Sequence, residues 1–354
     1  MGGWCELLAA LRLSVSPPRI GLALAGVLVS WILAACIDRL WAWCGVSQLM
    51  SRFAATPFAG WPAIARTAPC FTVVVGVLWL TLWALLGSAV CRGHAVAFGA
   101  GQPTGWGRML TFGRRHWGAA MRAVFVPIVV VAPFAVVCLV NGLILRIPWV
   151  GDIVGGLMLG MSLVAGMVIA YLGILWCLSA GLYWPAIAAD GFQAAEGVAR
   201  CAAYVQARLV RTVGLMAVAV VLVIVGWFAA VALAGLGVHA TRTLLRAAAV
   251  PWSGDGATRL DLLWPLGDTG QWYAWAGNLP SARYRIAHAL LGGWIWMLRA
   301  VIWAWLINLF FAVTTVVYFL LRADVDDVAH DDVFGIHGDP TAPGSTGRSS
   351  EAWA

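Results

Sequence analysis

The 354-residue chain is 62% hydrophobic and only 10% charged, whereas soluble domains carry about 25% charged residues, so it lacks the polar side chains to coat a soluble fold of this length. Its 22 basic residues against 15 acidic ones give a net charge of +7, and every basic residue is Arg. The absence of Lys excludes a lysine Schiff base and a phosphate-loop lysine, and no basic domain stands apart from the apolar runs to bind nucleic acid.

The predicted class is all-α: a polytopic transmembrane helix bundle of about six spans with amphipathic interfacial helices. In chain order, Trp4, Leu7, Leu8, Leu11 and Val15 recur at helical spacing, as in a helix lying in the interface plane. The first span follows near 20–40, with Asp38 and Arg39 placed to pair at its end. Leu33-Ala34-Ala35-Cys36 imitates a lipoprotein cleavage site, but its long leader and the five later spans favour an uncleaved helix. The second span lies near 70–91; Cys91 and His94 beyond it are too few to make a metal site. A second interfacial stripe, Trp106, Leu110, Trp117 and Met121, leaves Arg108, Arg115 and Arg122 off its face.

The third span is near 123–145, with Asn141 and Arg146 towards its end, and the fourth near 153–182. The fourth carries small-residue faces (Gly151 and Gly155; Gly156 and Gly160; Ser162, Gly166 and Ala170; Gly173, Cys177 and Gly181) suited to helix packing within the bundle or between copies. In the stretch YWPAIAADGFQAAEGVARCAAYVQARLVR, Asp190 and Gln193 have capping-box spacing. Glu196 and Arg200 form an i, i+4 pair, and Phe192, Ala195, Ala199, Ala202 and Val205 form the apolar face. Tyr204, Arg208 and Arg211 extend the polar face; an Asp190–Glu196 acid–base pair is the less favoured reading, since no nucleophile, His or metal set accompanies it.

The fifth span is near 212–237 and the sixth near 299–321, where Arg299 can snorkel and Asn308 is the deepest polar residue, read as interhelical glue. Between them, Trp252, Trp264, Trp272, Tyr273 and Trp275 with Asp255, Asp261 and Asp268 read as an outer aromatic belt rather than a sugar or head-group site. The Trp-rich stretch 284–298 allows a seventh, re-entrant segment. The membrane domain thus spans 1–322; residues 323–354 form an acidic, solvated and then disordered tail. Its ADVDDVAHDDVFGIHGD sequence sets Asp324, Asp326, His330 and Asp332 close together, but fails the EF-hand pattern at its sixth and twelfth positions.

Short-loop arginines set the expected orientation. Arg92, Arg108, Arg114, Arg115 and Arg122 follow the second span and Arg200, Arg208 and Arg211 the fourth, against Arg39, Arg52 and Arg66 after the first and Arg146 after the third. Both termini are then cytoplasmic, in a bacterial inner membrane. A threefold repeat of hydropathy (interfacial helix, span, outer loop, span) divides the chain near 3–91, 104–186 and 191–321.

Trp184-Pro185-Ala186-Ile187-Ala188-Ala189-Asp190-Gly191, followed by a small-residue helix with a basic end, is similar to uncharacterised bacterial polytopic membrane proteins. It also resembles, distantly, the membrane domain that accompanies some glycerophosphodiester phosphodiesterases. Cys91-Arg92 with Arg114-Arg115, Ile147-Pro148-Trp149-Val150-Gly151, and the run Val317-Tyr318-Phe319-Leu320-Leu321-Arg322-Ala323-Asp324-Val325-Asp326 belong to the same layout. The resemblance implies a fold and no activity, since no phosphodiesterase domain is present.

The functional expectation is a non-enzymatic subunit or organiser of a membrane assembly. Arg108, Arg114, Arg115, Arg122, Arg200, Arg208 and Arg211 would contact anionic lipid or a partner protein, and copies of the chain would associate. No catalytic residue, metal, cofactor or nucleic acid is expected. The alternative is a transporter or channel for a small solute or lipid, which calls for a wet cavity near Asn141 and Asn308.

Overall fold

The computed structural model describes residues 3–43, 69–147, 149–249, 282–328 and 330–335. Among them it contains helices and no strand: α1 (Gly3–Ser14), α2 (Pro17–Trp43), α3 (Pro69–Gly99), α4 (Trp106–Ile144), α5 (Val150–Ser179), a 3₁₀ turn (Ala180–Leu182), α6 (Tyr183–Asp190), α7 (Ala194–Ala207), α8 (Leu209–Ala249) and α9 (Ala282–Asp326). Six helical stretches are long and apolar enough to cross a membrane: Pro17–Ile37, Thr72–Gly99, Trp106–Ile144, Gly151–Asp190, Leu209–Ala248 and Ala282–Asp326. The chain is therefore an all-α, multi-pass membrane protein.

Local chemistry sets several boundaries. Pro17 opens α2, where its missing N–H costs no helical bond. Gly191 closes α6 in the left-handed region, φ +69°, and a Cβ there would meet the Phe334 ring at 2.7 Å. Arg208, at φ −135° and ψ 48°, breaks α7 from α8.

The helices outrun the expected spans. The 39 residues of α4 rise about 58 Å at ~1.5 Å each, roughly twice the ~30 Å hydrocarbon layer. The expected interfacial helix before the third span is the first half of α4, with no break between them. Residues 284–298 belong to the continuous α9 rather than to a separate segment, and α9 ends at Asp326, beyond the expected start of the tail. The aromatic-acidic stretch lies outside the described residues up to 281, as do Lys-free loop positions Arg52 and Arg66, the side chain of Asp38, and the tail beyond Gly335.

The chain forms two compact units, residues 1–220 with 308–354, and residues 221–307. In the first, α3 and α4 pack closely: Trp117 Nε1 donates to the Thr81 carbonyl at 3.1 Å, and a Cβ on Gly113 would lie 2.6 Å from the Leu85 carbonyl oxygen. Trp184 Nε1 donates to the Ala120 carbonyl at 3.1 Å. Leu7, Met109, Leu182, Ile187, Tyr318 and Phe319 fill the core. This register sets Arg114, Arg115 and Arg122 beside the apolar run of α3, so the apolar stretches of neighbouring helices are staggered. In the second unit, Trp227 of α8 and Trp303 of α9 meet with ring centroids 4.8 Å apart.

The buried faces differ from the expected stripes. Helix α1 buries Leu7, Ala10 and Ser14 and exposes Leu8 and Val15; α4 buries Met109, Gly113, Ala120 and Ala123 and exposes Trp106 and Trp117. Helix α7 buries Gly197, Val198, Cys201, Tyr204 and Val205 and exposes Ala195 and Ala199. Helix contacts in a membrane gain little from apolar area and favour small residues that admit close approach, so large apolar side chains turn outward. The α5 glycines follow no single rule. Gly155 sits against Leu145, while Gly156, Gly160, Gly166 and Gly173 have open space where a Cβ would stand.

Candidate functional site

Polar chemistry gathers where α6, α7, the end of α9 and the chain after it converge. Asp190, the last residue of α6, faces Arg322 near the end of α9, with Nη1 to Oδ1 at 3.0 Å and both side chains 9% exposed. The Tyr318 hydroxyl donates to the other oxygen of Asp190. Arg322 also donates to the Asp332 carbonyl at 2.8 Å and reaches its carboxylate at 3.3 Å. Asp190 is thus held by a buried ion pair, and the capping box is not formed: α7 begins after Gln193 without a side-chain cap.

A second layer lies beside this pair. The Tyr204 hydroxyl donates to Asp326, and Arg200 approaches the same carboxylate at 3.6 Å while lying 4.6 Å over the Phe192 ring. Burial, followed by the Asp326 contact, raises the Tyr204 hydroxyl above the ordinary phenol range, so it donates rather than ionises. Tyr204 therefore belongs to the buried face of α7, not to the polar face expected of it. Arg211 Nε meets Asp324 at 2.6 Å, and the expected Glu196–Arg200 pair forms at 3.7 Å. With Glu196 at that surface pair and Asp190 bound to Arg322, the two carboxylates do not work as one acid–base site.

The chain after α9 is strapped down. The Phe334 N–H donates to the Ala189 carbonyl at 2.8 Å. Arg92 of α3, buried and lying 4.9 Å over the Phe112 ring, donates to the carbonyls of Ala188 at 2.9 Å and Phe334 at 2.5 Å. Val333 is 1% exposed, and His330 lies 3.6 Å from Glu6 of α1. Of the acidic segment after α9, Asp327, Asp331 and Asp332 are exposed, whereas Val333 is buried and the backbone at Phe334 is anchored; the expected disordered residues 336–354 lie outside the described residues. The acidic residues that suggested a cation site face different partners, and no group of three metal-ligating side chains occurs among the described residues. A cleft of about 350 Å³ remains, lined by Asp190, Arg200, Arg322, Asp326, Asp332 and the Phe192 and Phe334 rings.

Deeper in the same unit, Arg19, His94 and Asn308 form a buried chain. Arg19 Nη1 lies 2.9 Å from His94 Nδ1, His94 Nε2 lies 2.9 Å from Asn308 Oδ1, and Asn308 Nδ2 donates to the Ser14 carbonyl at 2.7 Å. Arginine only donates, so Nδ1 accepts and Nε2 carries the proton, which orients the Asn308 amide. Asn308 is interhelical glue, as expected, and joins α9 to α3 and to the end of α1. Asn141 likewise donates to Ser162 at 2.8 Å, linking α4 to α5. The His116 ring of α4 stacks on Phe112 with centroids 4.1 Å apart.

The arginines read as lipid or partner contacts divide into two sets. Arg108, Arg114, Arg115 and Arg122 are exposed along α4 and make no ion pair among the described residues; Arg208 is exposed at the α7–α8 break. Arg200 and Arg211 are tied to the acidic end of α9. Arg92 is a buried helical residue rather than a loop residue. Sequence reasoning read Arg92 only as an orienting loop residue and assigned no contact to Arg19, Tyr318 or Arg322; the available signal was an ionisable or phenolic group in or beside an apolar run. No family model, curated protein or solved structure matches the chain.

Proposed function

We propose that the chain is a non-enzymatic membrane protein that organises, or forms a subunit of, a larger assembly in a bacterial cytoplasmic membrane, and that it holds anionic lipid through α4. The carrying observation is the exposed row Arg108, Arg115 and Arg122, with Arg114 beside it, interleaved with exposed Trp106, Trp117 and Phe125. Exposed arginines repeating every seven residues beside outward-facing aromatics offer anionic lipid a line of contacts, Arg108 at the head-group border and Arg114, Arg115 and Arg122, which lie beside the apolar run of α3, by snorkelling, and each basic residue near the surface gains about 1 kcal/mol. In this reading α1, the first half of α4 and α7 are amphipathic elements at the cytoplasmic border, and both termini are cytoplasmic. The likeness to the membrane domain of glycerophosphodiester phosphodiesterases is consistent with such a scaffold and adds no reaction to it.

The interior supports assembly over transport. Asn308 is spent on His94 and the Ser14 carbonyl, and the Asn141 amide donates to Ser162, while Asn141 Oδ1 is buried without a hydrogen-bond partner. Outward faces such as Ile153, Leu157 and Met167, exposed by 76, 84 and 74%, leave α5 available to lipid, a second copy or another membrane protein. Native mass spectrometry of the protein extracted gently from its own membrane tests the proposal. A reproducible partner or a defined oligomer carrying anionic lipid is expected; a bare monomer retaining a specific small solute would move the function to transport.

A further inference from the structure

We infer that residues 330–335 are a peptide ligand carried in cis, and that the groove holding them, at the converging ends of α3, α6 and α9, accepts the same segment from a second copy of this chain. The groove grips main chain. The Phe334 N–H donates to the Ala189 carbonyl at 2.8 Å, Arg92 donates to the Phe334 carbonyl at 2.5 Å, and Arg322 donates to the Asp332 carbonyl at 2.8 Å. Between these bonds Val333 is buried, and the segment lies on two glycines. A Cβ at Gly99 would stand 2.5 Å from the Val333 side chain and 2.4 Å from the His330 carbonyl oxygen, and one at Gly191 would stand 2.7 Å from the Phe334 ring. The His330 ring packs with its centroid 5.6 Å from that of Phe98. Main-chain bonds combined with a pocket for the side chain between them are how proteins take up peptide segments. The pattern read here is acidic, aliphatic, aromatic, glycine over Asp332, Val333, Phe334 and Gly335.

The groove keeps its grip when the segment leaves. Arg92 retains the Ala188 carbonyl at 2.9 Å and the Phe112 ring, and Arg322 retains Asp190 at 3.0 Å, so neither buried guanidinium is stranded. The segment itself is lightly held. Asp331, Asp332, Phe334 and Gly335 are exposed and only Val333 is buried, the profile of a part that opens before the core does. The turn that returns it to its own groove is a strained hinge: Asp327, directly after α9, has φ +56°, a region that L side chains seldom adopt and β-branched ones avoid. Relaxing that residue to extended backbone carries the segment away from its own body. A short strained hinge is the setting in which identical elements exchange between copies, and a second copy brings this sequence with it. The inference rests on the assembly reading and is independent of the α4 arginines.

The test mixes two full-length variants in neutral detergent. Val333→Asp with Phe334→Ala spoils the segment and leaves the groove, whereas Gly99→Val blocks the groove and leaves the segment. Mixed, they should form a complex of one chain of each under native mass spectrometry, and the amides of 332–335 in the Gly99→Val chain should regain protection from hydrogen exchange. A fluorescent peptide of residues 330–335 should bind the first variant about tenfold more tightly than the unmodified protein, whose own segment competes at high effective concentration. It should not bind Gly99→Val. Asp327→Val should raise the dimer fraction, and Asp327→Gly should lower it. In the unmodified protein, a readout that needs no variant to fold, the amides of 332–335 should exchange well before those of α3 and α9. No complex between the two variants, exchange at 332–335 only with global unfolding, or peptide binding indifferent to Gly99→Val would each overturn the inference. Peptide binding without a complex would overturn the second copy as occupant and give the groove to another protein's segment. An oligomer that both variants keep when alone would sink the exchange and leave the assembly reading standing.

Discussion

The arginines of α4 and those around the end of α9 carry the same charge in similar sequence settings, yet they do different work. Arg108, Arg114, Arg115 and Arg122 project from a helix with no carboxylate partner among the described residues, whereas Arg200, Arg211 and Arg322 meet Asp326, Asp324 and Asp190. The difference comes from α9, whose last turns bring Asp324 and Asp326 back across α7 and the start of α8. Arginine near a membrane border therefore orients and binds lipid only where the fold leaves it unclaimed; where a carboxylate meets it, it clamps helices.

The largest effect expected from breaking the clamp is at its centre. Asp190→Asn leaves the buried Arg322 with only the exposed Asp332 carboxylate at 3.3 Å as counter-charge; breaking a buried pair costs at most about 3–5 kcal/mol, and the change should lower the unfolding midpoint in detergent. Asn308→Leu comes next, at about 1–3 kcal/mol, because it strands His94 Nε2–H and the Ser14 carbonyl in the interior. Because this variant loses stability, a loss of function in it would not separate transport from assembly.

Tyr204→Phe should cost about 1 kcal/mol by removing the bond to Asp326. The folded-state pKa of Tyr204 lies above its unfolded value, so this contribution is fully present below the unfolded phenol value of about 10 and is lost only as pH rises through the raised one. The stability gap between Tyr204→Phe and the unmodified protein should therefore stay constant from neutrality to mildly alkaline pH; a gap that closes in that range would show an ionising phenol. Smallest of all, Arg114→Gln with Arg115→Gln should leave the unfolding midpoint unchanged while reducing retained anionic lipid.

Helix class and the existence of six spans were legible because a 20-residue apolar run has few other fates. Asn308 was legible as glue because an amide in an apolar run must find a partner. The clamp was not. Asp190 stands at a helix end followed by Gln193, the local pattern of a cap, and nothing near it in sequence announces Arg322 or Tyr318. The packing faces of α1, α4 and α7 were misjudged for a physical reason: ranking faces by apolar size suits a protein in water, whereas these helices bury small residues such as Gly113 and Gly197 and turn Leu8, Trp106 and Trp117 outward. The length of α4 was also hidden, since its arginine-bearing half and its apolar half differ in composition but form one helix.

The most direct measurement sets the two arginine groups against each other in nanodiscs of mixed phosphatidylglycerol and phosphatidylcholine, reading retained lipid by native mass spectrometry and stability by thermal unfolding. Arg108, Arg114, Arg115 and Arg122 changed together to Gln should shed bound phosphatidylglycerol with the unfolding midpoint preserved, while Arg200→Gln with Arg211→Gln should keep the lipid and melt at lower temperature. Loss of lipid from the second variant with unchanged stability, or full lipid retention by the first, would contradict the division of labour proposed for these arginines.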